Sequence, residues 1–467
     1  MYPRLMIAGT SGDCGKTLVA LGLAAAWRQE GIPIAPFKKG PDYIDTAWLS
    51  LAAGRPARNL DSWMMGTHQV LGSFIAHSAG GGINLVEGNR GLHDGEDARG
   101  THSSAELAKL LGLPVVLVLP AQKLTRTAAA IALGMKLLDP DLHIAGVLLN
   151  RVATARQESV MRTAVESETG LPVLGAIPKI DESLLPGRHM GLVTPQDHIQ
   201  AEQAVDTAAG LVRRFVDLKR LQALADAAAR NTLCGPGIRE SGHGPCAGAA
   251  ELRIGYFGSP AFTFYYPENM EAIDGTGAIR ISIDPMMDPE LPPLDALYIG
   301  GGFPEVHSAR LAGNASFRAS VAESARGGLP VWAECGGLMF LSESIHWKES
   351  SYPMAGVLPM EVALGDTPEG HGYEEVLADQ PNPFVPAGTI IRGHEFHYSK
   401  VVSAGRMETA FKVQRGVGLG NGRDGIVMNR VLASYLHLHG LASPDWANWL
   451  VRAALEYKRE REIANYE

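Results

Sequence analysis

Gly9-Thr10-Ser11-Gly12-Asp13-Cys14-Gly15-Lys16-Thr17 directly follows the apolar run Leu5–Ala8 and leads into a stretch where Leu18, Leu21, Ala25 and Trp27 recur on helical faces. Strand, glycine loop and helix, in that order, are what a phosphate-binding loop requires. Backbone N–H groups converge on phosphate oxygens at the helix amino terminus, and glycines let the backbone approach. Lys16 supplies a point charge, and the Thr17 hydroxyl reaches Mg²⁺. Gly12, Asp13, Cys14, Gly15, Lys16 and Thr17 are therefore the expected nucleotide contacts. The usual GxxxxGK[ST] pattern would put its first glycine at Thr10, with Gly9 one residue early, so the loop is a variant.

Outward from this loop, further apolar runs follow at Ile32–Phe37, Ile83–Val86, Val115–Leu119, Ile144–Leu149 and Val173–Ile177. They are continuous rather than alternating, as strands covered on both faces read, and helix-like stretches separate them. The one after Ser103-Ser104 carries Leu107, Leu110 and Leu111 behind a serine cap. This alternation predicts an α/β doubly wound domain. Ligands of such sheets bind at the carboxyl ends of the strands, where Asp42, Asp45, Glu87 and Asp94 stand, suited to metal and substrate handling. The same loops carry Lys38, Lys39, Arg55, Arg58, Arg90 and Arg99, a basic grouping that suits an anionic substrate. Asn150, at another strand end, is placed to read a nucleotide base.

The whole chain has 467 residues, enough for two or three domains. At 46% hydrophobic and 19% charged it folds rather than staying disordered. Its formal charge of −9 disfavours nucleic acid and anionic membranes as partners. Cys14, Cys234, Cys246 and Cys335 fit neither a disulfide framework nor a zinc pattern, which points to a reducing cytoplasm. No apolar run is long enough to span a bilayer, and the chain enters a strand pattern without a basic leader.

Residues 231–250, NTLCGPGIRESGHGPCAGAA, are rich in Gly and Pro and lack apolar periodicity, so they are read as a linker between domains 1–230 and 251–467. Its Cys234, His243 and Cys246 match no zinc spacing. Strand runs then resume at Leu252–Phe257, Ala278–Ile283, Ala296–Ile299, Val331–Ala333 and Ile426–Met428, with a last run ending at Leu438, and predict a second α/β domain. A helix is expected after Ser443-Pro444.

In PVWAECGGLMF, Cys335 stands between a strand and an expected helix beginning Gly336-Gly337. Such a sharp turn exposes a nucleophile, and the next N–H groups, here that of Gly336, stabilise an oxyanion. A second glycine loop at 300–302 offers Gly301 as another oxyanion donor. A thiol wants a base, and SYLHLH offers His437 and His439, of which one is expected to face the pocket; His437 is chosen. His394 and His397, in RGHEFHYS, are candidate glutamine contacts.

GTSGDCGKT, PFKKGPDYID, GRPARNLDSWM, VEGNRGLHDG, FTFYYPEN, YIGGGFPE, AECGGLMFL and GHEFHYS, in this order, resemble the cobyrinate a,c-diamide synthase family over essentially the whole chain apart from the linker. The resemblance implies an amino-terminal synthetase domain related to dethiobiotin synthetase and a carboxy-terminal class I type glutaminase domain, with Cys335 the nucleophile and His437 its activator. It implies ATP as co-substrate, Mg²⁺ held at Thr17, Asp42 and Glu87, and L-glutamine as nitrogen donor. The acceptor would be a tetrapyrrole polycarboxylate held by Lys38, Lys39, Asp45, Arg55, Arg58, Arg90 and Asp94. An internal passage for ammonia is expected, and a homodimer is allowed. His439 stands two residues after the base, where many class I glutaminases carry a glutamate, so a Cys/His pair without the third acid is expected. Corrin enzymes often read EGVMGLFDG where this chain reads EGNRGLHDG, which keeps sirohaem, sirohydrochlorin or Ni-sirohydrochlorin open as acceptors. A nucleotide switch of the ParA/MinD type is the alternative of another class; it lacks the extra early lysine here and has no use for Cys335.

Overall fold

The computed structural model describes residues 2–180, 185–188, 191–231, 233 and 246–464. Cys234 and His243, and most of the expected linker, lie outside the described residues. The chain divides into two compact units, residues 1–239 and 240–467.

The amino-terminal unit is built on β1 (Arg4–Gly9), β2 (Ile34–Lys39), β3 (Arg58–Leu60), β4 (Ile83–Gly91), β5 (Val115–Pro120), β6 (Ile144–Val152) and β7 (Val173–Pro178). They lie in the order β3-β2-β4-β1-β5-β6-β7, with every pairing parallel. Leu5, Met6, Ile7, Val116, Leu117 and Val118 are fully buried, as covering both faces requires. Helices α1 (Lys16–Gln29), α2 (Ile44–Ala53) and α3 (Gly66–His77) are among those that cover the sheet. Small residues let α1 pack closely: a methyl group added at Gly22 would stand 2.6 Å from the Ala208 carbonyl of helix Ala201–Phe215. Successive crossovers leave β1 between β4 and β5, so strand order reverses beside it. The loop after β1 therefore opens into the crevice where such sheets bind ligands.

The carboxy-terminal unit keeps the α/β class, but its ten-stranded sheet is mixed. Strands Ile279–Ile283, Arg253–Phe257, Ala296–Ile299, Val331–Glu334 and Val431–Ser434 run parallel in that order. Strands Arg423–Met428, Glu408–Arg415, Gly370–Ala378, Ile390–His397 and His437–Leu438 then continue the sheet antiparallel. Only Tyr435 and Leu436 separate Val431–Ser434 from His437–Leu438, yet the latter pairs at the far edge of the antiparallel half. That half must curl back on itself, which carries His437 to the region of the parallel strand ends. The expected last helix forms at Trp446–Ala464 and buries Trp446, Leu450 and Ala454. Among the described residues no helix is long and apolar enough to cross a membrane.

Candidate functional sites

In the amino-terminal unit the glycine loop is set by local sterics. Gly15 (φ 88°) caps α1 in the left-handed region and Asp13 (φ 52°) shares it, so the chain doubles back before the helix. Gly9 must be glycine because a Cβ there would lie 2.3 Å from the buried Cys14 sulfur. This explains the variant spacing: the early glycine makes room for Cys14. No side chain caps the amino terminus of α1, which leaves its first N–H groups to a ligand. A cavity of about 680 Å³ opens there, lined by Lys16, Thr17, Asp42, Asp45, Arg151 and Lys179, among others. Arg151 and Lys179 escaped the sequence reading because neither sits in a glycine loop.

Asn150 also borders this cavity, but its amide is engaged with the backbone. Its Nδ2 donates to the Cys14 carbonyl at 2.9 Å, and its Oδ1 accepts the Arg151 N–H at 2.9 Å. It therefore acts as a strut under the loop, with a second amide N–H and a second lone pair left over at the cavity wall.

The Thr17 hydroxyl donates to Glu87 Oε1 at 2.7 Å and lies 3.4 Å from Asp45 Oδ2. Lys38 Nζ bridges the same two acids, at 2.9 Å and 2.5 Å. Burial alone would discharge Lys38, but Asp45, Glu87 and Asp42 outweigh it and hold the ammonium above its usual range. Lys38 is therefore committed to the nucleotide site and does not face substrate as expected. Asp45, also expected at substrate, belongs with Thr17 and Glu87, while Asp42 Oδ1 accepts the Asp45 N–H at 2.8 Å and steadies the start of α2. Burial and the Asp45 charge push Asp42 up to about 7. Glu87 Oε2 is buried with no hydrogen-bond partner among the described residues. Thr17, Asp45 and Glu87, with Asp42 beside them, form a hard-oxygen set that fits Mg²⁺, which typically takes one or two carboxylates plus nucleotide phosphates.

The expected basic grouping is only partly assembled. Lys39 is buried, and that burial lowers its pKa; Asp61 opposes the shift and Arg90 adds to it, so Lys39 and Arg90 are neighbours. Arg90 is exposed near the end of β4 and Asp94 on the loop after it, where Asp94 Oδ2 accepts the Gly91 N–H at 2.8 Å, and Arg99 is exposed beyond. Arg58 is buried at the amino end of β3, in register with Phe37. Arg55 lies farther back, donating to the His77 carbonyl at the end of α3. Because α2 runs antiparallel to its strands, Arg55 sits at the opposite end of the sheet from the glycine loop, so the structure removes it from the substrate set.

In the carboxy-terminal unit, Cys335 joins strand Val331–Glu334 to helix Gly336–Leu341 with φ 45° and ψ −97°. Such a conformation is strained for a side chain with a Cβ and is typical of a nucleophile held off its strand. The Gly336 N–H hydrogen-bonds the Cys335 sulfur. Glycine is obligatory on both sides of the site. A Cβ at Gly337 would meet the Ile299 carbonyl at 2.6 Å, one at Gly336 would meet the Gly302 nitrogen at 3.0 Å, and one at Gly301 would strike His437 Cε1 at 2.3 Å. Gly301 and Gly302 thus lie close to both the nucleophile turn and the His437 ring. Burial, then the Glu305 charge, drives the Cys335 thiol far above its ordinary range. Burial also lowers His437 to about 3, so its imidazole is neutral in the empty site.

Of the remaining histidines, His394 stacks on His437 with ring centroids 4.9 Å apart and lies 3.3 Å from the Tyr266 hydroxyl. His397 instead stacks on Tyr435 at 3.6 Å, and its Nδ1 donates to the Ser399 carbonyl at 2.8 Å. The latter ring packs under the segment before His437, a support and not the glutamine contact expected of it. Only one of His437 and His439 is expected to face the pocket; residues two apart in a continuing strand would face the same side, but this strand ends at Leu438. Their partners separate them: His437 Nδ1 lies 3.8 Å from Glu334, and His439 Nε2 lies 3.6 Å from Glu268. Glu334 and Asp424, which accepts the N–H groups of Tyr435 and Leu436, were not singled out from sequence.

Residues 253–445 match the CobB/CobQ-like glutamine amidotransferase domain, and residues 5–193 match the CobQ/CobB/MinD/ParA nucleotide binding domain. The chain is 41% identical over 451 residues to a cobyrinate a,c-diamide synthase from Magnetococcus marinus, covering 96% of this chain and 97% of the relative. It is 37% identical to one from Archaeoglobus fulgidus, covering 98% of each, and 40% identical to one from Syntrophotalea carbinolica, covering 96% of this chain and 98% of the relative.

Proposed function

The chain belongs to the cobyrinate a,c-diamide synthase family, and from that premise we propose how its two units divide a glutamine- and ATP-dependent amidation. The acceptor is cobyrinic acid, amidated at its a and c acetate side chains. The observation that carries the reading is the pairing, in one chain, of an uncapped glycine-loop helix with a strained Cys335 turn and a neutral His437 that both border the Gly301–Gly302 loop. A nucleotide switch would leave the second pair without work.

In the carboxy-terminal unit the Cys335 proton passes to His437 as the sulfur attacks the glutamine carboxamide carbon. The Gly336 N–H, with Gly301 nearby, serves the developing oxyanion. His437 returns the proton to the departing nitrogen, ammonia leaves, and water, deprotonated by the same ring, releases glutamate and restores the thiol. In the amino-terminal unit a carboxylate oxygen of the macrocycle attacks the γ-phosphorus of ATP, ADP departs, and ammonia displaces phosphate from the acyl phosphate. Lys16 offsets charge on the phosphates, and Lys38 fixes Asp45 and Glu87 in place. When bound at Thr17, Asp45 and Glu87, with Asp42 behind, Mg²⁺ supplies charge neutralisation to the phosphates. Lys39 and Arg90 meet the peripheral carboxylates. Work on free glutamine and ATP is consistent with a cytoplasmic enzyme.

The test is Cys335→Ser assayed with two nitrogen donors. Glutamine-dependent amidation is expected to fall by about 10⁴-fold or more, while amidation supported by ammonium chloride continues. Unchanged glutamine hydrolysis would remove Cys335 from the reaction.

A further inference from the structure

Resting on the reading of Cys335 and His437 as a glutaminase pair, the structure assigns Glu334 as the positioning acid of that pair, holding the His437 ring through Nδ1 from the residue just before the nucleophile. Glu334 Oε2 lies 3.8 Å from His437 Nδ1, with both side chains almost wholly buried. The same oxygen lies 3.2 Å from the Tyr298 hydroxyl. Asn269 ties this contact to the strand that carries the base. Its Nδ2 reaches the Tyr298 hydroxyl and the Leu438 carbonyl, each at 3.1 Å, and its Oδ1 accepts the Gly440 N–H at 2.6 Å. Carboxylate and imidazole are thus fixed by one buried network, and a separation of 3.8 Å closes to a hydrogen bond by a small ring movement when substrate fills the site.

Adjacent residues of a strand face opposite sides, so Glu334 and Cys335 could not both serve one ring if the strand continued. The left-handed turn at Cys335 breaks that alternation. It takes the Cys335 side chain off the face opposite Glu334, whose carboxylate stays at Nδ1. His439 cannot take the acid's place. Its Nδ1 accepts the Leu441 N–H at 3.1 Å, so the neutral ring carries its proton on Nε2, toward Glu268. In the proposed step the thiol proton moves to His437 Nε2, the Nδ1–H bond to the Glu334 carboxylate stabilises the imidazolium, and the proton leaves with ammonia. Glu334 ends the cycle as it began.

Among the described residues, Tyr298, Tyr265, Cys335 and His437 are titratable groups around Glu334. Burial holds both tyrosines and the thiol in their protonated forms, whereas it pushes Glu334 only up to about 8. Because the ionised carboxylate is the working form, glutamine hydrolysis should rise with pH through this titration.

The experiment measures glutamine hydrolysis and Cys335 alkylation by iodoacetamide across pH 6 to about 9.5 in the full chain, with ammonium-dependent amidation as the check on folding. Glu334→Gln is expected to lower kcat for glutamine by about 100-fold with KM nearly unchanged, to abolish the rise with pH, and to leave ammonium-dependent amidation intact. Glu334→Asp should recover part of the loss. In a His437→Ala background Glu334→Gln should change the alkylation rate less than about twofold, since its effect runs through His437. A kcat within about threefold of the unsubstituted chain, or an equal drop in both backgrounds, would overturn the assignment. If Glu334→Gln also loses ammonium-dependent amidation, Tyr298→Phe replaces it: a fall of about tenfold in glutamine hydrolysis alone supports the network, and parity contradicts it. Failure of the parent reading looks different, because then Cys335→Ser itself leaves glutamine hydrolysis untouched.

Discussion

Lys38 and Glu334 are both fully buried at the end of a parallel strand, yet they meet opposite fates. Lys38 faces two carboxylates within 2.9 Å and stays charged, whereas Glu334 faces a tyrosine hydroxyl and a neutral ring, so burial favours its protonated form. The same contrast runs through the two units. Phosphoryl transfer works on charge already in place, so the amino-terminal site fixes its ions beforehand. Thiol attack needs a proton to move, so the carboxy-terminal site surrounds Cys335 with groups that burial has brought toward neutrality.

The contrast breaks most severely at Lys16. Lys16→Ala should lower amidation by about 10³-fold with either nitrogen donor, because it removes charge from the phosphates, and should spare glutamine hydrolysis. Steady-state assays with glutamine and with ammonium chloride separate the two effects; retained amidation would contradict the phosphate role. Lys38→Met comes next. It strands Asp45 and Glu87 without their cation and should destabilise the amino-terminal unit by about 3 kcal/mol, read as a lower urea midpoint for that unit's unfolding.

The smallest effect lies in stability against pH. The folded value of Glu334, about 8, stands above the ordinary 4.5 of an unfolded glutamate. Its proton is then bound more tightly in the folded state, so the associated stability is fully present below about 4.5 and is lost as pH rises through about 8. Thermal unfolding at pH 5.5 and at pH 8.5 should show Glu334→Gln losing less stability than the unsubstituted chain, by roughly 2 kcal/mol. Equal losses would mean that Glu334 is not protonated at the lower pH.

What the sequence made legible is local. The glycine loop, its strand and its helix depend on residues within one short segment, and continuous apolar runs located six of the seven strands of the first sheet. The three-residue β3 was missed because Arg58-Asn59-Leu60 is mostly polar and too short to show a pattern. In the second unit, strand Gly370–Ala378 alternates buried and half-buried residues around Glu374 and Glu375, so a search for continuous runs passed over it and its antiparallel neighbours. Side-chain commitments were less legible still. Nothing near Lys38 in the sequence shows that Glu87 neutralises it, and Glu334 meets His437 only because the antiparallel half curls back between them. The quoted motif AECGG did contain Glu334, but its acid had no visible partner.

Together the two sites amidate the a and c carboxylates of cobyrinic acid. Mass spectrometry of the products from cobyrinic acid, sirohydrochlorin and sirohaem, each incubated with ATP, Mg²⁺ and glutamine, tests it most directly. Two successive amidations of cobyrinic acid, both dependent on ATP and Cys335, are predicted. No amidation of cobyrinic acid, with amide formed on sirohydrochlorin or sirohaem instead, would contradict it.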